Sequence, residues 1–488
     1  MTELARTDRR TFLRRGALGA SALWTLSLEH FMAHRAEGSP LVPSPYGPIG
    51  PKLDQATGLP LLQLPDKFRY VSYSWTGDVM SDGVPCPSVH DGMAVVAELD
   101  EHQDRGGDDR QDRGHDHHDE DRGHEHAGDR DDSRSGRLLL IRNHEQAVGA
   151  PYVNNPAITY RTDGAGGTTN VIFDARRGRW LRAWSSLAGT IRNCAGGVTP
   201  WGTWVTCEET LEPGHGWSFE VGQHHGDPTP LTDMGRMSHE ALMVDPRTSY
   251  VYETEDNGTD SGFYRFVPHH RGRLAKGGRL YMLAVKGQPN IPLGSAYPIG
   301  TTWDVEWVRI DDPSAVTIPT FQQGYLKGGA RFSRLEGAWW GERTGYFLST
   351  NGGVVGEGQV FEYDPRRERL KLIYDAPNAN EVDNPDNLTV TPGGSLLMCE
   401  DAAGNNFTAG ERLIGLTLQG ETFTFAMNNI NLTAAEIAAA GKNVAPGDSR
   451  QNEWAGATFS PDGRWLFVNI QTPGITFAIT GPWHKGPL

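Results

Sequence analysis

Apolar and polar positions alternate in short runs along most of this chain, and the runs come in pairs. Five segments, 194–209, 240–256, 336–351, 386–401 and 453–470, repeat one plan. Each has a residue able to ligate a metal, a short apolar run, a turn carrying Gly, Pro or Asp, and a second apolar run. Alternation on both sides of such a turn predicts a β-hairpin. Three of the five segments close on acidic residues. A sixth copy is expected to open at His90 and to resume, after an insertion, at residues 135–145. One hairpin recurring with one reactive position predicts an all-β chain, a ring of blades around a common site. Helices should be few; the Ala-rich stretch 432–441 is the clearest short one.

The two ends of an antiparallel hairpin lie side by side. The opening residues Cys194, Glu240, Glu336, Asp386 and Glu453 are therefore expected to form an inner ring at one mouth of the central channel. The trailing Glu208, Glu209, Glu253, Glu255, Glu400 and Asp401 would form a second ring just outside it, from which Glu209 and Glu255 join the candidate ligands. Carboxylates converging in a narrow channel repel one another and raise each other's pKa, and a bound multivalent cation reverses that effect. The cysteines Cys86, Cys194, Cys207 and Cys399 make no paired zinc motif. Cys86, Cys207 and Cys399 read as small core residues, whereas Cys194 stands at the ligand position and reads as a thiolate ligand. His90, His144 and His239, beside strand ends, read as hydrogen-bonded structural groups.

The 60 glycines and 14 tryptophans fit many short strands joined by tight turns. Net charge is −16, which argues against nucleic acid as a partner. The segment 101–136 carries 13 acids, 6 arginines and 6 histidines, with no apolar face. It is expected to be a disordered surface insertion in the first hairpin. The N-terminus reads Arg9-Arg10-Thr11-Phe12-Leu13-Arg14-Arg15 before a moderately apolar run, the pattern of a twin-arginine export signal. That run is too short and broken for a stable membrane span. The expected organisation is a signal region at 1–40 and a single domain at 41–488, exported folded to the periplasm or secreted.

Several stretches together resemble the PhoX family of secreted bacterial alkaline phosphatases. They are Arg9–Arg15, His90–Met93, Arg142–Glu145, Asn193–Gly197, Thr199–Trp204, Cys207–Glu209, His239-Glu240, Glu253–Asp256, Arg334–Gly337, Pro385–Asn387 and Glu453. The resemblance implies a six-bladed β-propeller with an iron and calcium (Fe3+, Ca2+) cluster at one channel mouth, hydrolysing small phosphate monoesters. It implies that Cys194, Glu240, Glu336, Asp386 and Glu453 ligate the cluster and that Arg334 binds the substrate phosphate. The acidic, His-rich insertion departs from the family pattern.

The residue types suit that chemistry. Carboxylates suit calcium, and a thiolate among carboxylates suits a ferric ion. Arg334 can fork onto phosphate oxygens, and on an extended strand it shares a face with Glu336. No G-x-S-x-G elbow or Walker A loop is present. The competing readings are a lactonase or phosphodiesterase on a calcium-binding propeller, and a non-catalytic binding propeller.

Overall fold

The computed structural model describes residues 41–100, 134–401 and 410–488. The twin-arginine segment and most of the acidic insertion lie outside the described residues. Strand His90–Asp100 pairs with Arg134–His144, with Asp100 opposite Arg134. Residues 134–136 therefore belong to the second strand and not, as the sequence reading had it, to the insertion. The Ala-rich stretch forms the short helix Ala434–Ala439, started by a capping box between Thr433 and Glu436.

The described chain is an all-β, propeller-like arrangement of antiparallel sheets. Six hairpins supply its innermost strands: His90–Asp100, Asn193–Val198, His239–Val244, Leu335–Trp340, Pro385–Val390 and Trp454–Phe459. Each packs beside the next, and the last packs back against the first. Strands further out extend every hairpin. The sheet that begins at Trp454–Phe459 is completed by Arg69–Tyr73, from near the N-terminal end of the described chain, beside Ile475–Thr480. The sheets of the third and fourth units are joined at their outer edges by strand Thr302–Arg309, which pairs with both Gly278–Val285 and Arg369–Asp375. The stretch between those two repeats is thus largely outer sheet and connecting turns.

Apolar residues of facing sheets fill the spaces between units. Between the third and fourth, Phe263 stacks on Phe347 with ring centroids 4.2 Å apart, and within the fourth Phe347 stacks on its cross-strand partner Phe361 at 5.3 Å. Near the centre the strands approach so closely that side chains are excluded. A Cβ on Gly92 would lie 2.6 Å from Ala195 Cα, and one on Gly337 would lie 2.7 Å from Asp386 O.

Three features recur at the mouth of the ring. The amide of the residue after each second strand donates to the carbonyl of the residue before each first strand, at 2.8–3.2 Å. The pairs are Glu145–Val89, Glu209–Arg192, Asp256–Ser238, Thr350–Arg334, Asp401–Asn384 and Gln471–Glu453. Four of those carbonyl residues, Val89, Arg192, Arg334 and Asn384, have φ between 42° and 54°, a left-handed conformation uncommon outside glycine. In the first five units the first strand also starts with a register shift, a β-bulge that re-aims its second residue; in the sixth the shift follows Ala455.

Candidate metal centre

The bulge position carries Asp91, Cys194, Glu240, Glu336 and Asp386 in the first five units. All five are buried. Cys194 Sγ donates to Glu240 Oε1 at 3.2 Å. Ligand atoms of Cys194, Glu240 and Asp386 lie within 4.8 Å of one another, and so do those of Asp91, Glu145 and Cys194. Cys194 belongs to both groups, which makes it the hinge of the centre.

Around this deep layer lies a second one, formed by the residues whose amides make the recurring bond. Glu145, Glu209, Asp256 and Asp401 carry carboxylates there. Strand parity explains why these acids, and not their neighbours, face inward: adjacent side chains point to opposite faces. The preceding residues turn into the blades. Glu208 accepts from the amides of Ile191, Gly216 and Trp217 and faces His215. Glu255 accepts from Tyr264 Oη and the Gly262 amide. Glu400 holds Arg412 with both oxygens, at 2.6 and 2.7 Å.

The residues named from sequence are therefore placed as follows. Cys194, Glu240, Glu336 and Asp386 stand at equivalent positions in the deep layer. Glu209 is in the second layer. Glu255 is bound inside its blade, and Asp256 takes the inward place. Glu453 enters from a different position: its carbonyl makes the recurring bond, so it matches Arg192 and Arg334, two residues before the bulge position. Two residues along an extended chain restore the same facing, and Glu453 still interacts electrostatically with Asp401, Asp91, Asp386 and Glu145. The sequence reading gave Asp91, Glu145 and Asp256 no ligand role. The signal for Asp91 was available, because Asp91-Gly92 reads like Glu336-Gly337.

Burial first, then neighbouring carboxylates, pushes Asp91, Glu240, Glu336 and Glu453 well above the usual carboxylate range. The Cys194 thiol is pushed up by the same causes. Two guanidinium groups offset part of the charge. Arg334 donates from Nη2 to Glu336 Oε1 at 2.6 Å and from Nε to Asp256 Oδ2 at 3.2 Å. Arg192 pairs with Glu145 Oε1 at 2.7 Å and with Glu209. Arg334 keeps 33% and Arg192 44% of its side chain exposed, so both lie at the solvent edge of the centre.

The three histidines sit in structural bonds. His90 Nε2 lies 3.0 Å from Pro87 O, and His144 Nε2 lies 2.9 Å from Thr169 Oγ1. His239 Nε2 lies 2.9 Å from Gly235 O. All four cysteines are buried and free.

Residues 44–474 match the alkaline phosphatase PhoX family. The chain belongs to that family. No curated protein matches the chain. Among solved structures, a gluconolactonase from Xanthomonas campestris is 15% identical, with a TM-score of 0.32 over 70% of this chain and 90% of that one. A putative 6-phosphogluconolactonase from Bacteroides fragilis is 11% identical, with a TM-score of 0.36 over 74% and 83%. Likenesses this low leave the activity to the PhoX assignment and to the site.

The donor set fits the metal ions that a PhoX alkaline phosphatase implies. Glu240 Oε2 and Asp256 Oδ1 are buried without a hydrogen-bond partner. Buried polar groups are ordinarily satisfied, and unpaired carboxylate oxygens, one of them on the Glu240 that meets the Cys194 thiol, are what a cation would complete.

Proposed function

We infer that this PhoX-family chain is a metal-dependent phosphatase hydrolysing phosphate monoesters at an iron and calcium cluster, on a six-bladed propeller formed by residues 41–488. The observation that carries the reading is the convergence of nine carboxylates and one thiol on one mouth, with two half-exposed guanidinium groups at its edge. The six-blade count rests on the closed succession of six innermost strands and the bond repeated in each unit. Cys194 favours a transition metal beside calcium, because a scaffold stabilised by calcium alone has no use for a thiolate. Cys194, Glu240, Asp386, Asp91 and Glu145 would hold ions, with Glu336, Glu453 and the second layer completing the set. Bound there, such ions would polarise phosphoryl oxygens and lower the pKa of a coordinated water.

The chain's own groups supply binding and orientation. Arg334, planar and always charged, can fork onto two phosphate oxygens. Its pairing with Glu336 and Asp256 fixes its direction toward the centre. The close-packed glycine-lined strands beneath exclude bulk water and lower the local dielectric, which strengthens every charge interaction at the site. The lactonase reading is less well supported, since an uncharged lactone gives the guanidinium groups no partner. Export by the twin-arginine route, to the periplasm or beyond, is part of the same proposal, resting on Arg9 and Arg10. It suits a metal centre assembled before export.

The testing experiment combines elemental analysis of purified protein with turnover of an aryl phosphate. Iron and calcium together, with activity lost on chelation, is the expected result. Protein that hydrolyses no phosphate ester when fully loaded with metal refutes the phosphatase reading.

A further inference from the structure

Arg192 and Arg334 hold the same place in two different units. Each is the residue before its innermost strand, each is left-handed, at φ 49° and 42°, and each carbonyl accepts the recurring amide bond. Each guanidinium bridges two acids of the centre. They approach it from different sides: Arg192 interacts with Cys194, Glu145 and Glu209, Arg334 with Asp386, Glu336 and Asp256. We propose that Arg192 is a second anion-holding residue, which with Arg334 grips the substrate phosphate and sets a preference for monoesters over diesters. The proposal rests on the phosphatase reading and specifies its substrate class.

Three arguments support this assignment over a purely structural ion pair. A half-exposed ion pair contributes little to stability, so packing alone gives weak reason for an arginine at a strained backbone position. The acids that hold Arg192 are themselves candidate ligands. A cation competes for their oxygens and leaves guanidinium N–H groups for another anion. Charge then selects the substrate. A phosphate monoester carries about −1.5 to −2 near neutral pH, because its second pKa is about 6. A diester lacks that second ionisation. Two guanidinium groups therefore favour the monoester more than one does.

The test uses full-length, metal-loaded protein carrying Arg192→Asn, chosen because asparagine tolerates the left-handed backbone, with Arg192→Lys beside it. Steady-state kinetics are measured on an aryl phosphate monoester and a bis-aryl phosphate, together with metal content and melting temperature. The expected result is a loss in kcat/KM on the order of 10²-fold for the monoester against about threefold or less for the diester. Arg192→Lys should recover part of the loss. Binding of inorganic phosphate, followed by calorimetry, should weaken about tenfold or more in Arg192→Asn. Equal losses on both substrates, unchanged phosphate affinity, or loss of the metals overturns the assignment. If wild-type protein fails to hydrolyse the monoester, the phosphatase reading falls separately, and the calorimetry still decides Arg192. A wild type that binds no phosphate refutes it too.

Discussion

Arg334 and Cys194 show how one side chain type is fitted to one task. Arg334 touches Glu336 and Asp256 with separate nitrogens, a geometry that lysine, a single point charge, cannot reproduce. Arg334→Lys is expected to lower turnover of an aryl phosphate on the order of 10²-fold, because its contact strengthens as charge develops in the transition state. Metal content and melting temperature should hold. Full activity in steady-state assays would reduce Arg334 to a salt-bridge partner of Glu336. Cys194 joins both groups of candidate ligands. Cys194→Ser keeps the size and removes the soft sulfur donor, so iron, measured by elemental analysis, should fall well below wild type while calcium falls less. Unchanged iron would remove the thiolate from the centre.

At the scale of the element, the bulge and the close approach of neighbouring strands make the site. A Cβ at Gly337 would meet three backbone atoms, Asp386 O, Asn387 Cα and Leu388 N, at 2.7–2.9 Å. Backbone cannot swing aside as a flexible side chain can. Gly→Ala in a strand gains about 0.5–1 kcal/mol from reduced unfolded-state entropy, but overpacking costs about 1–3 kcal/mol, so the clash wins. Gly337→Ala should destabilise the protein in urea unfolding and disturb Glu336 and Asp386 together. Gly50 is the control: it lies in strand Ile49–Lys52, and a Cβ there meets nothing within 4 Å. Gly50→Ala should be neutral or slightly stabilising. Equal effects from the two substitutions would contradict this account.

Across the whole molecule, metal is expected to matter for stability and the insertion is not. Nine carboxylates from six hairpins meet at one mouth, and ions bound only to the folded state stabilise it by mass action. Chelation should lower the melting temperature by several degrees and abolish activity, both restored by adding metal. A melting curve indifferent to chelator would mean that the centre binds no structural cation. The insertion, by contrast, has no apolar face in its sequence. Because Asp100 is paired with Arg134, a two-residue Asn-Gly turn can replace residues 101–133, and a shorter loop costs less entropy to close. Fold and activity should survive that replacement. An insoluble or inactive variant would give the segment a role. Among the described residues no helix is long and apolar enough to cross a membrane.

Local pattern alone determined the hairpins, the all-β class, the short Ala-rich helix and the equivalent placement of Cys194, Glu240, Glu336 and Asp386. These follow from periodicity within one stretch of chain, where turn chemistry and alternation fix the element. The family was legible in the same residues. Tertiary structure alone decided which of two adjacent acids faces the centre. Glu208, Glu255 and Glu400 and their neighbours Glu209, Asp256 and Asp401 are alike in composition. Parity at the last ladder pair separates them, and that parity depends on register with a partner strand. The same holds for Glu453, displaced by two positions, and for the backbone conformation and hydrogen bond that Arg192 and Arg334 share, although both arginines stand two residues before a ligand position, at Cys194 and Glu336. Neither the displacement nor the backbone conformation can be read from side-chain pattern, because both depend on how each hairpin closes its own ladder at the mouth.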